Sequence, residues 1–569
     1  MNFDRAGNDA REYLGPVLEA TPRLLGSLDR EPLSPTWGSF DRDHWAWKFR
    51  DFPINMLQAG VLPLAWLWRT PVSGNPWAAN GQVFRWIEAA LEVVLRRQRR
   101  NGAFDTVGPN TQDHGVTLAQ CYILLAARRL LGDDCPAGLA DRIAEAVRRG
   151  LGFAARSTED YAFINNHQAL FALTWLRAGE QLGEAAYRDR ADEVLAGILR
   201  RQSPDGWYAE YGGADPGYES LGLQHLAEFE RERPGTELSR SIDRALEFLA
   251  HCVQPDGSIG GGYGSRHTVQ WYPAGFELLA ARSPVAASIA GFIRPRLPQA
   301  PVVTPQTVDT HNLPLLMYSY CLAAAALGSA RNSAAASPLP CQRELPPKHY
   351  PDAGLVVTST PAYHAICGLK KGGVITVVSR QTGALAYEDA GYVVEAGRRG
   401  GRRWSSAFQG LTESSTLTGL VATTRARFGL AERPVLTPSK FVLLRVLNLT
   451  VFRSRVLGAI IRRMIIAQLI SGRRPGRLLL DRQVTFGDDE VTIRDTLGGG
   501  SPDVGTVWRP RAFTAIHMGS ARYAHPRDLA ELPEPRLEGA ARALAGGGSA
   551  TLSTTIRFVD GDSSLAFTD

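Results

Sequence analysis

Three short segments of the chain concentrate side chains that can bind a ligand and move protons. The first contains Asn165, Asn166 and His167, in the stretch DYAFINNHQALFALTWL. Asparagine is a favourable N-cap, so Asn166 could simply begin the helix that follows. Two amides and an imidazole at the start of an apolar helix exceed what a cap requires, so we predict that they also contact a ligand.

The second segment is DGWYAEYGGADPGYESLGLQHL. It brings acidic, aromatic and imidazole side chains into one loop and helix start: Asp205, Trp207, Tyr208, Glu210, Tyr211, Tyr218 and His225. Aromatic rings offer flat apolar faces to sugar rings, and the hydroxyls and carboxylates beside them supply hydrogen bonds. This composition predicts a carbohydrate-binding loop rather than a simple connector.

The third segment, DGSIGGGYGSRHTVQWYPAGFELL, carries five glycines between Asp256 and Ser265. Such glycines let the backbone approach a ligand closely. The side chains that this loop would deliver are Tyr263, Arg266, His267 and Tyr272. The segment lacks the GxxxxGKS/T pattern and follows no predicted strand, so a nucleotide-binding loop is not indicated.

Other candidates lie in further loops of the same part of the chain. Trp45 and Lys48 fall in DRDHWAWKFRDFP, His114 in PNTQDHG and His311 in DTHNLP. Each alone is more often a structural residue. Seven of the 11 histidines nevertheless lie in this part of the chain, most of them at loop ends, which favours a shared site.

The elements that must position these segments form a repeat. A helix runs into a turn that contains Gln and then Asn-Gly or Asp-Gly in LRRQRRNGAF, LRRQSPDGWY and AHCVQPDGSIGG. The turn glycines, Gly102, Gly206 and Gly257, are spaced by two periods and then one period of about 52 residues. A period of that length fits two helices and two loops.

Two kinds of helix alternate along this repeat. Segments such as FRWIEAALEVVLRRQ and SRSIDRALEFLAHCV carry one apolar stripe, whereas GVTLAQCYILLAARRLLG and HQALFALTWLRAGEQLG are apolar nearly all round. We predict outer and inner helices, respectively, in five or six pairs. Because the reactive segments all follow one set of helices, we expect a closed (α/α) toroid over residues 1–328 rather than an open solenoid.

The remainder of the chain has a different pattern. A Ser, Ala and Pro-rich linker is predicted at 329–348, and alternating β-branched segments predict an antiparallel β-sandwich over 349–569. A helical insertion is predicted near 440–475. We expect it to pack on the sheet or the toroid, with docking on a membrane surface as the alternative, because its apolar runs are too short to span a bilayer.

Composition excludes several classes of function. Between Lys440 and Leu480 there are nine basic residues and no acidic ones, so the formal net charge of +6 falls to −3 when this segment is set aside. No nucleic-acid partner is therefore expected. The six scattered cysteines indicate neither a zinc site nor a disulfide framework, and the start of the chain lacks a signal-peptide pattern, which predicts a cytoplasmic protein.

Three of these motifs together carry a family resemblance. With NNH at 165–167, DGxYxE at 205–210 followed by Tyr218, and DAGLVVTSTPAYHAICGLKKGGVITV, the chain resembles the heparinase II/III-like polysaccharide lyases and their alginate-lyase relatives. The resemblance implies an (α/α) toroid with an antiparallel β-sheet domain. It also implies β-elimination on a uronic-acid glycan, so the expected partner is an acidic polysaccharide or oligosaccharide.

Site roles follow from that resemblance. Asn166 would neutralise the substrate carboxylate, His167 would act as base or orienter, and Tyr218 as the acid and base. Arg266 and His267 could lower the pKa of a catalytic tyrosine or hold the uronate. The expected substrate-binding residues are Trp45, Lys48, His114, Asn165, Trp207, Glu210, Tyr211, Tyr263 and Tyr272.

The chain also departs from the family pattern. The usual YYH run is replaced by PGYES, which leaves Tyr211 as a rival to Tyr218. The histidine of the sheet domain has no clear counterpart, although His349 and His364 are candidates. No catalytic metal or cofactor is expected, and a structural divalent metal in the second domain stays open.

Two other readings of the same residues remain. A glycoside hydrolase on this scaffold would use a carboxylate pair drawn from Asp205, Glu210, Asp215 and Glu219. A non-catalytic protein of exopolysaccharide metabolism would bind acidic glycans without turnover. A terpene-cyclase-like toroid is disfavoured because the chain lacks a DxDD or DDxxD cluster.

Overall fold

A computed structural model of the chain describes residues 7–106, 108–159, 163–299, 301–329, 334–397, 401–431, 437–466, 474–500, 504–514, 523–533, 535 and 537–568. Helices occupy the first part of the chain and strands the second. The predicted fold class, a helical toroid followed by antiparallel sheets, is confirmed.

The helices of the first part run in chain order as α1 (Gly7–Ser27), α2 (Arg42–Trp45), α3 (Val61–Arg69), α4 (Gly81–Arg97), α5 (His114–Leu131), α6 (Ala137–Ala154), α7 (Asn165–Leu182), α8 (Ala185–Leu199), α9 (Pro216–Glu232), α10 (Thr236–Cys252), α11 (Ala274–Leu279), α12 (Pro284–Ile293) and α13 (Leu313–Ser329). Short 3-10 turns lie at Asn55–Gly60, Gly132–Asp134 and Arg294–Gln299.

Six inner helices form a closed ring. The helices α3, α5, α7, α9, α11 and α13 contact one another in that order, and α13 contacts α3. Each inner helix also packs against an outer one: α4, α6, α8, α10 and α12 follow their inner partners in the chain, whereas α1 covers α13. The ring is therefore an (α/α) toroid of six helix pairs.

The two helix types differ in burial as their sequences predict. On the outer helix α10, buried side chains recur at Leu238, Ile242, Ala245 and Leu249, which makes one stripe. The inner helix α5 is buried without a break over 117–127, because it contacts neighbours on several sides. Burial of these apolar faces is the main stabilising contribution to the ring.

The repeated turn has a structural explanation. The glutamine side chains of Gln98 and Gln202 each donate to a carbonyl of the next outer helix, at 2.7 and 2.8 Å. Gly102 and Gly206 adopt φ of 89° and 103°, and a Cβ at either position would lie within 2.5 Å of a carbonyl oxygen of that helix. The turn therefore fastens one helix pair to the next, and only glycine fits it.

The strands of the second part run as β1 (Leu345–Tyr350), β2 (Leu355–Ser359), β3 (Tyr363–Gly368), β4 (Val374–Ser379), β5 (Leu385–Asp389), β6 (Val393–Ala396), β7 (Arg402–Ser405), β8 (Thr412–Thr418), β9 (Val421–Leu430), β10 (Pro475–Phe486), β11 (Glu490–Gly498), β12 (Val504–Trp508), β13 (Ala550–Val559) and β14 (Asp562–Thr568). Three helices accompany them: α14 (Pro438–Leu449), α15 (Arg455–Ile466) and α16 (Glu538–Ala545).

These strands form two antiparallel sheets. The first has the order β1-β2-β3-β4-β5, and the second has the order β12-β6-β7-β9-β10-β11-β13-β14, with β8 paired to β9. Val356 and Ile375 of the first sheet share a buried apolar cluster with Val484, Ile493 and Ile556 of the second. The sheets therefore pack face to face, as a β-sandwich does.

The sheet region covers the loop side of the toroid. Lys371 donates from Nζ to the carbonyls of Gly262 and Gly264, at 2.6 Å each. Arg527 donates from Nε to Asp256 at 2.8 Å. The loops that carry the predicted site residues thus lie between the helical ring and the sheets.

Among the helices that the structure describes, none combines the length and the hydropathy needed to cross a lipid bilayer.

Candidate active site

The loops before α7, α9 and α11 meet around one buried carboxylate, that of Glu210. Ile164 and Glu210 form an isolated antiparallel bridge, and the Asn165 N–H donates to the Ala209 carbonyl at 3.0 Å. These backbone contacts set the start of α7 beside Glu210. The structure brings Asn166, Tyr218 and Arg266 to this one place.

Asn166 binds Glu210 instead of capping its own helix. The N-cap of α7 is Ile164, which makes no side-chain cap. The backbone N–H of Asn166 donates to Glu210 Oε1 at 2.8 Å, and its Nδ2 donates to both carboxylate oxygens at 2.9 and 2.8 Å. Glu210 thus satisfies an N–H at the positive end of the α7 dipole and fixes the amide of Asn166.

Arg266 lies between Glu210 and two tyrosine rings. Its Nη1 is 3.3 Å from Glu210 Oε2, and its guanidinium carbon is 3.4 Å from the ring centroid of Tyr218 and 5.1 Å from that of Tyr211. Burial lowers the pKa of Arg266, but Tyr218, Glu210 and Asp215 raise it further than burial lowers it. The guanidinium therefore stays charged against the tyrosine faces.

Asp215 holds the two backbones that carry this stack. It is the N-cap of α9 and accepts from the Tyr218 N–H at 3.2 Å, while its other oxygen accepts from the Arg266 N–H at 2.8 Å. Its carboxylate also accepts from the Thr268 hydroxyl. One buried carboxylate thus fixes the relative position of Tyr218 and Arg266.

The pKa of Glu210 is raised by burial. The Arg266 cation and the hydrogen bonds from Asn166 act in the opposite direction without cancelling that rise. Glu210 is fully buried beneath the other groups, whereas Tyr211, Tyr218 and His167 are half-buried. The half-buried side chains are the most accessible to a ligand, and Asn166 beside them keeps 5% of its surface exposed.

Two histidines flank the cluster in opposite electrostatic settings. His167 Nδ1 is 2.8 Å from Glu159 Oε1; burial lowers the pKa of His167, but the charge and hydrogen bond of Glu159 raise it above its ordinary value. His114 lies 3.0 Å from Ser157 Oγ, and burial lowers its pKa. At neutral pH, His167 is thus biased towards the imidazolium and His114 towards the neutral ring.

Tyr211 sits on a tight turn in an uncommon conformation. Its φ is 56° and that of Gly212 is 83°, and the Glu210 N–H donates to the Gly213 carbonyl at 2.8 Å. A large side chain in the left-handed region is rare and is often found at functional sites. Burial raises the pKa of Tyr211 to about 12, although Arg266 opposes the rise, so the hydroxyl stays protonated near neutral pH.

Comparison with known proteins supports the architecture. No family model matches the chain, and no curated protein does. Among solved structures, the chain is similar to the chondroitin AC lyase of Streptomyces coelicolor A3 in complex with chondroitin sulphate, with 13% identity and a TM-score of 0.54 over 89% of this chain and 71% of that chain. The chain has the fold of a polysaccharide lyase.

Two further solved structures align at lower similarity. A heparan sulfate lyase HepC mutant from Pedobacter heparinus is 11% identical, with a TM-score of 0.44 over 88% of this chain and 70% of that chain. A heparinase III gene product is 12% identical, with a TM-score of 0.43 over 89% of this chain and 73% of that chain. The predicted resemblance to polysaccharide lyases is confirmed at the level of the fold by the alignment with the chondroitin AC lyase.

Within this lyase fold, some predicted residues lie away from the Glu210 cluster. Trp45 donates from Nε1 to the Ser27 carbonyl at 2.8 Å, and Lys48 is exposed on the same rim loop. Trp207 is buried in the apolar core of the toroid. The Tyr263 hydroxyl donates to the Cys252 carbonyl at 3.1 Å and accepts from Gly260, which ties the glycine loop together.

Other predicted residues lie next to the cluster but deeper. Tyr272 is buried, and its hydroxyl is 3.3 Å from Gln270 Oε1. Asn165 is fully buried, and both polar atoms of its side chain lack a hydrogen-bond partner within the described part of the chain. His267 points to the sheet region, with Nδ1 3.1 Å from the Phe513 carbonyl, and lines a small cavity with Glu388. None of these three belongs to the half-buried face.

The two histidines considered in the sheet region have other surroundings. His364 is buried on β3, its Nδ1 is 2.6 Å from Ser359 Oγ, and burial lowers its pKa to about 3. His349 lies on β1, and burial lowers its pKa as well. A different residue of the sheet region approaches the site. Burial, a hydrogen bond to Asp309 and the charges of Asp309 and Tyr218 raise the pKa of Tyr523.

The carboxylates of a hydrolase-type pair are each engaged inside the fold. Asp205 accepts from the N–H of Asp352 at 2.7 Å, and Asp215 caps α9. Glu219 is fully buried and accepts from the Tyr208 N–H at 3.3 Å; burial raises its pKa well above the ordinary value. Glu210 is held by Asn166 and Arg266. Among the described residues, no group of three His, Cys, Asp or Glu side chains could hold a metal ion.

The sequence motifs did not reveal Glu159 or the double role of Asp215. Asp215 carries a signal, because an aspartate before Pro-Gly at a helix start is a common cap. Its second bond, to Arg266, joins residues that are far apart in the chain. Glu159 lies eight residues before His167, and this spacing does not by itself predict that the two side chains meet.

Proposed function

We propose that the protein is a lyase that cleaves a uronic-acid-containing polysaccharide or oligosaccharide by β-elimination. The observation that carries the proposal is the stack of Arg266 on Tyr218, set beside Asn166 and His167 at the start of α7. This arrangement supplies cationic and amide groups for a carboxylate next to one aromatic hydroxyl. The polysaccharide-lyase fold is consistent with it.

Binding of the uronate begins at the positive end of α7. A carboxylate there is favoured by the helix dipole, by the Asn166 amide and by the protonated His167. Neutralising that carboxylate makes the proton on the adjacent ring carbon, C5, more acidic, because the enolate-like charge that forms after its removal is stabilised. Glu210 and Arg266 lie beneath and keep the amide in place.

Tyr218 is the proposed base. His167 is biased towards its protonated form, and Tyr211 keeps its proton because its pKa is raised to about 12, so neither is ready to accept one. The Arg266 guanidinium carbon lies 3.4 Å from the Tyr218 ring centroid, and this contact holds the phenol beside the groups that bind the carboxylate. Tyr218 in its phenolate form takes the C5 proton and then returns it to the leaving oxygen.

The elimination balances without a co-reactant. The C5–H bond breaks and its electron pair forms a double bond between C4 and C5, while the C4–O bond breaks and its pair goes to the departing glycosidic oxygen. That oxygen receives the proton from Tyr218 and leaves as an alcohol. The products are a saturated chain end and an unsaturated uronate, and no water enters the reaction.

An ultraviolet assay on a panel of uronate-containing glycans tests this function. We expect a rise in absorbance from the conjugated product with at least one substrate, and its loss in Asn166→Ala and Tyr218→Phe. His349→Ala is a matched control in the sheet region and should keep full activity. Glycan binding without any unsaturated product would refute the lyase and support a non-catalytic binding protein.

A further inference from the structure

A helical arm projects from the sheet region between two neighbouring strands. It consists of α14, a 3-10 turn at Val451–Arg453 and α15, and it connects β9 to β10. These strands pair directly and antiparallel, with Leu480 opposite Ala426. Adjacent antiparallel strands need a turn of only a few residues, so the arm is not required for strand pairing.

One side of the arm rests on the rim of the toroid. Arg445 forms an ion pair with Asp51, and its guanidinium carbon is 5.6 Å from the ring centroid of Phe52. Asn110 donates from Nδ2 to the Asn448 carbonyl at 3.3 Å. These contacts hold the arm beside two loops on the same side of the ring as the candidate active site.

The other side of the arm is apolar and exposed. Of the 16 large apolar side chains that are exposed within the described residues, nine lie on the arm: Phe441, Val442, Leu443, Val446, Leu449, Val456, Leu457, Ile460 and Met464. Trp47 and Phe49, on the adjoining rim loop, are exposed as well, and their rings are parallel at 5.9 Å. A concentration of this kind marks an interaction surface.

The charge of the segment identifies its partner. The sequence from Lys440 to Leu480 contains nine basic residues and no acidic ones. A second copy of the same surface would be repelled by like charge, and a soluble acidic glycan would leave the apolar side chains uncovered. Basic and apolar residues on short helices that do not span a bilayer are typical of helices lying in an anionic lipid surface.

We propose that the arm docks the protein onto an anionic membrane surface. The exposed apolar side chains of α14 and α15 enter the boundary between headgroups and acyl chains, and the net positive charge of the segment attracts it to the lipid phosphates. The proposal is independent of the lyase activity, because no residue of the Glu210 cluster takes part in it. Docking through the arm holds the rim of the toroid at a lipid surface.

Vesicle binding by the full-length protein tests the proposal. We expect the protein to float with vesicles of phosphatidylcholine and phosphatidylglycerol, with on the order of tenfold weaker binding to phosphatidylcholine alone. Added salt should weaken the binding to anionic vesicles. The fourfold variant Val442→Ser, Leu443→Ser, Val456→Ser and Leu457→Ser should lose at least tenfold in affinity.

A matched variant and the unaltered enzyme activity serve as controls. Leu420→Ser with Val559→Ser changes two exposed apolar residues elsewhere on the sheet region and should bind vesicles as the wild type does. The fourfold variant should keep glycan turnover in solution, since its positions lie outside the candidate active site. Equal binding to neutral and anionic vesicles would overturn the proposal. Undiminished vesicle binding by the fourfold variant would also overturn it. A wild-type protein that binds no vesicles but self-associates, with that self-association lost in the fourfold variant, would overturn it as well.

Discussion

At the residue scale, the arginine beneath the tyrosine rings does what a lysine cannot. The planar guanidinium of Arg266 contacts the face of the Tyr218 ring and reaches Glu210 at the same time. A lysine carries the same charge as a point and offers no flat face. Substitutions of Arg266 and of Glu159 test the electrostatics of this contact and of His167 beside it.

We expect Arg266→Lys to lower kcat by about 100-fold, as loss of a preorganised electrostatic group typically does. KM should change much less, because the proposed contacts of the uronate are with Asn166 and His167. Initial rates over a range of substrate concentrations separate the two parameters. Arg282→Lys, which alters a partly exposed ion pair with Glu230, is the control and should leave both unchanged. An Arg266→Lys enzyme with wild-type kcat would contradict the proposed role.

The pH dependence of KM reports on His167. Its pKa is raised by Glu159 against the effect of burial, so the imidazolium persists to higher pH than in an ordinary histidine. KM should therefore rise as pH increases through that pKa, because the cation that holds the uronate is lost. In Glu159→Gln the pKa of His167 falls, and the rise in KM should begin at lower pH. An identical KM profile in both enzymes would rule out uronate binding by His167.

The convergence of Asn166, Tyr218 and Arg266 could be predicted from the sequence because each lies between an outer helix and the next inner helix or at the start of that inner helix. Tyr218 and Arg266 follow the repeated turn, whereas Asn166 follows α6, which ends without it. The burial of Trp207 and Tyr263 could not be predicted, although both stand in the same loops. A loop that folds back exposes one aromatic residue and buries the next, and the choice depends on partners such as the Cys252 carbonyl. Local sequence contains no information about those distant partners.

At the element scale, the inner helix α9 carries a carboxyl group that is buried from water, where its charged form is unfavourable. Glu219 is fully buried, and burial raises its pKa well above the ordinary value of 4.5, which favours its neutral form in the folded protein. The unfolded chain ionises at this residue once the pH exceeds the ordinary value. The folded state therefore loses stability as pH rises from about 4.5 towards the pKa of the buried group.

Glu219→Gln removes the loss of folding stability at high pH, because glutamine is isosteric with the neutral acid and does not ionise. We expect the variant to gain on the order of 1 kcal/mol over the wild type at pH 8, and little or nothing at pH 4. Urea unfolding at several pH values measures the difference. Glu237→Gln, at an exposed position of α10, should show no such trend. A destabilised Glu219→Gln at pH 8 would mean that the carboxylate is needed in its charged form.

The amphipathic outer helices and the apolar inner helices could be predicted from the spacing of apolar residues, because helix geometry alone decides which side chains share a face. The six-residue α11 and the 3-10 turn at Asn55–Gly60 could not, since they are too short for a period to show. The order of the second sheet is also beyond sequence reasoning. β12 pairs with β6 across more than a hundred residues, and side-chain alternation does not encode the identity of a neighbour.

At the scale of the whole molecule, one lysine connects the sheets to the glycine loop. Lys371 is buried, and its ammonium donates to the Gly262 and Gly264 carbonyls, just before Arg266 in the chain. The sheet region thereby helps to set the position of the active-site arginine.

Lys371→Met should lower the free energy of unfolding by about 1–3 kcal/mol, because two buried carbonyls lose a donor. It should also reduce kcat at a temperature where the fold is intact. Lys370→Met is the matched control: Lys370 is exposed and donates to the Asp352 carbonyl, away from the loop. Thermal unfolding and initial rates measure the two effects. Unchanged turnover in Lys371→Met would show that the loop holds its shape without the sheets.

The contacts of α1 that close the ring constrain how the protein folds during synthesis. Tyr13, near the beginning of α1, is fully buried, donates to Glu277 at 2.6 Å and packs edge-on against Tyr320 of α13. A ribosome makes α1 before the rest of the ring, yet Glu277, a partner of Tyr13, emerges 264 residues later. Until then the apolar face of α1 lacks its native packing partners. Chaperones or transient contacts must cover this face in the nascent chain until the ring closes.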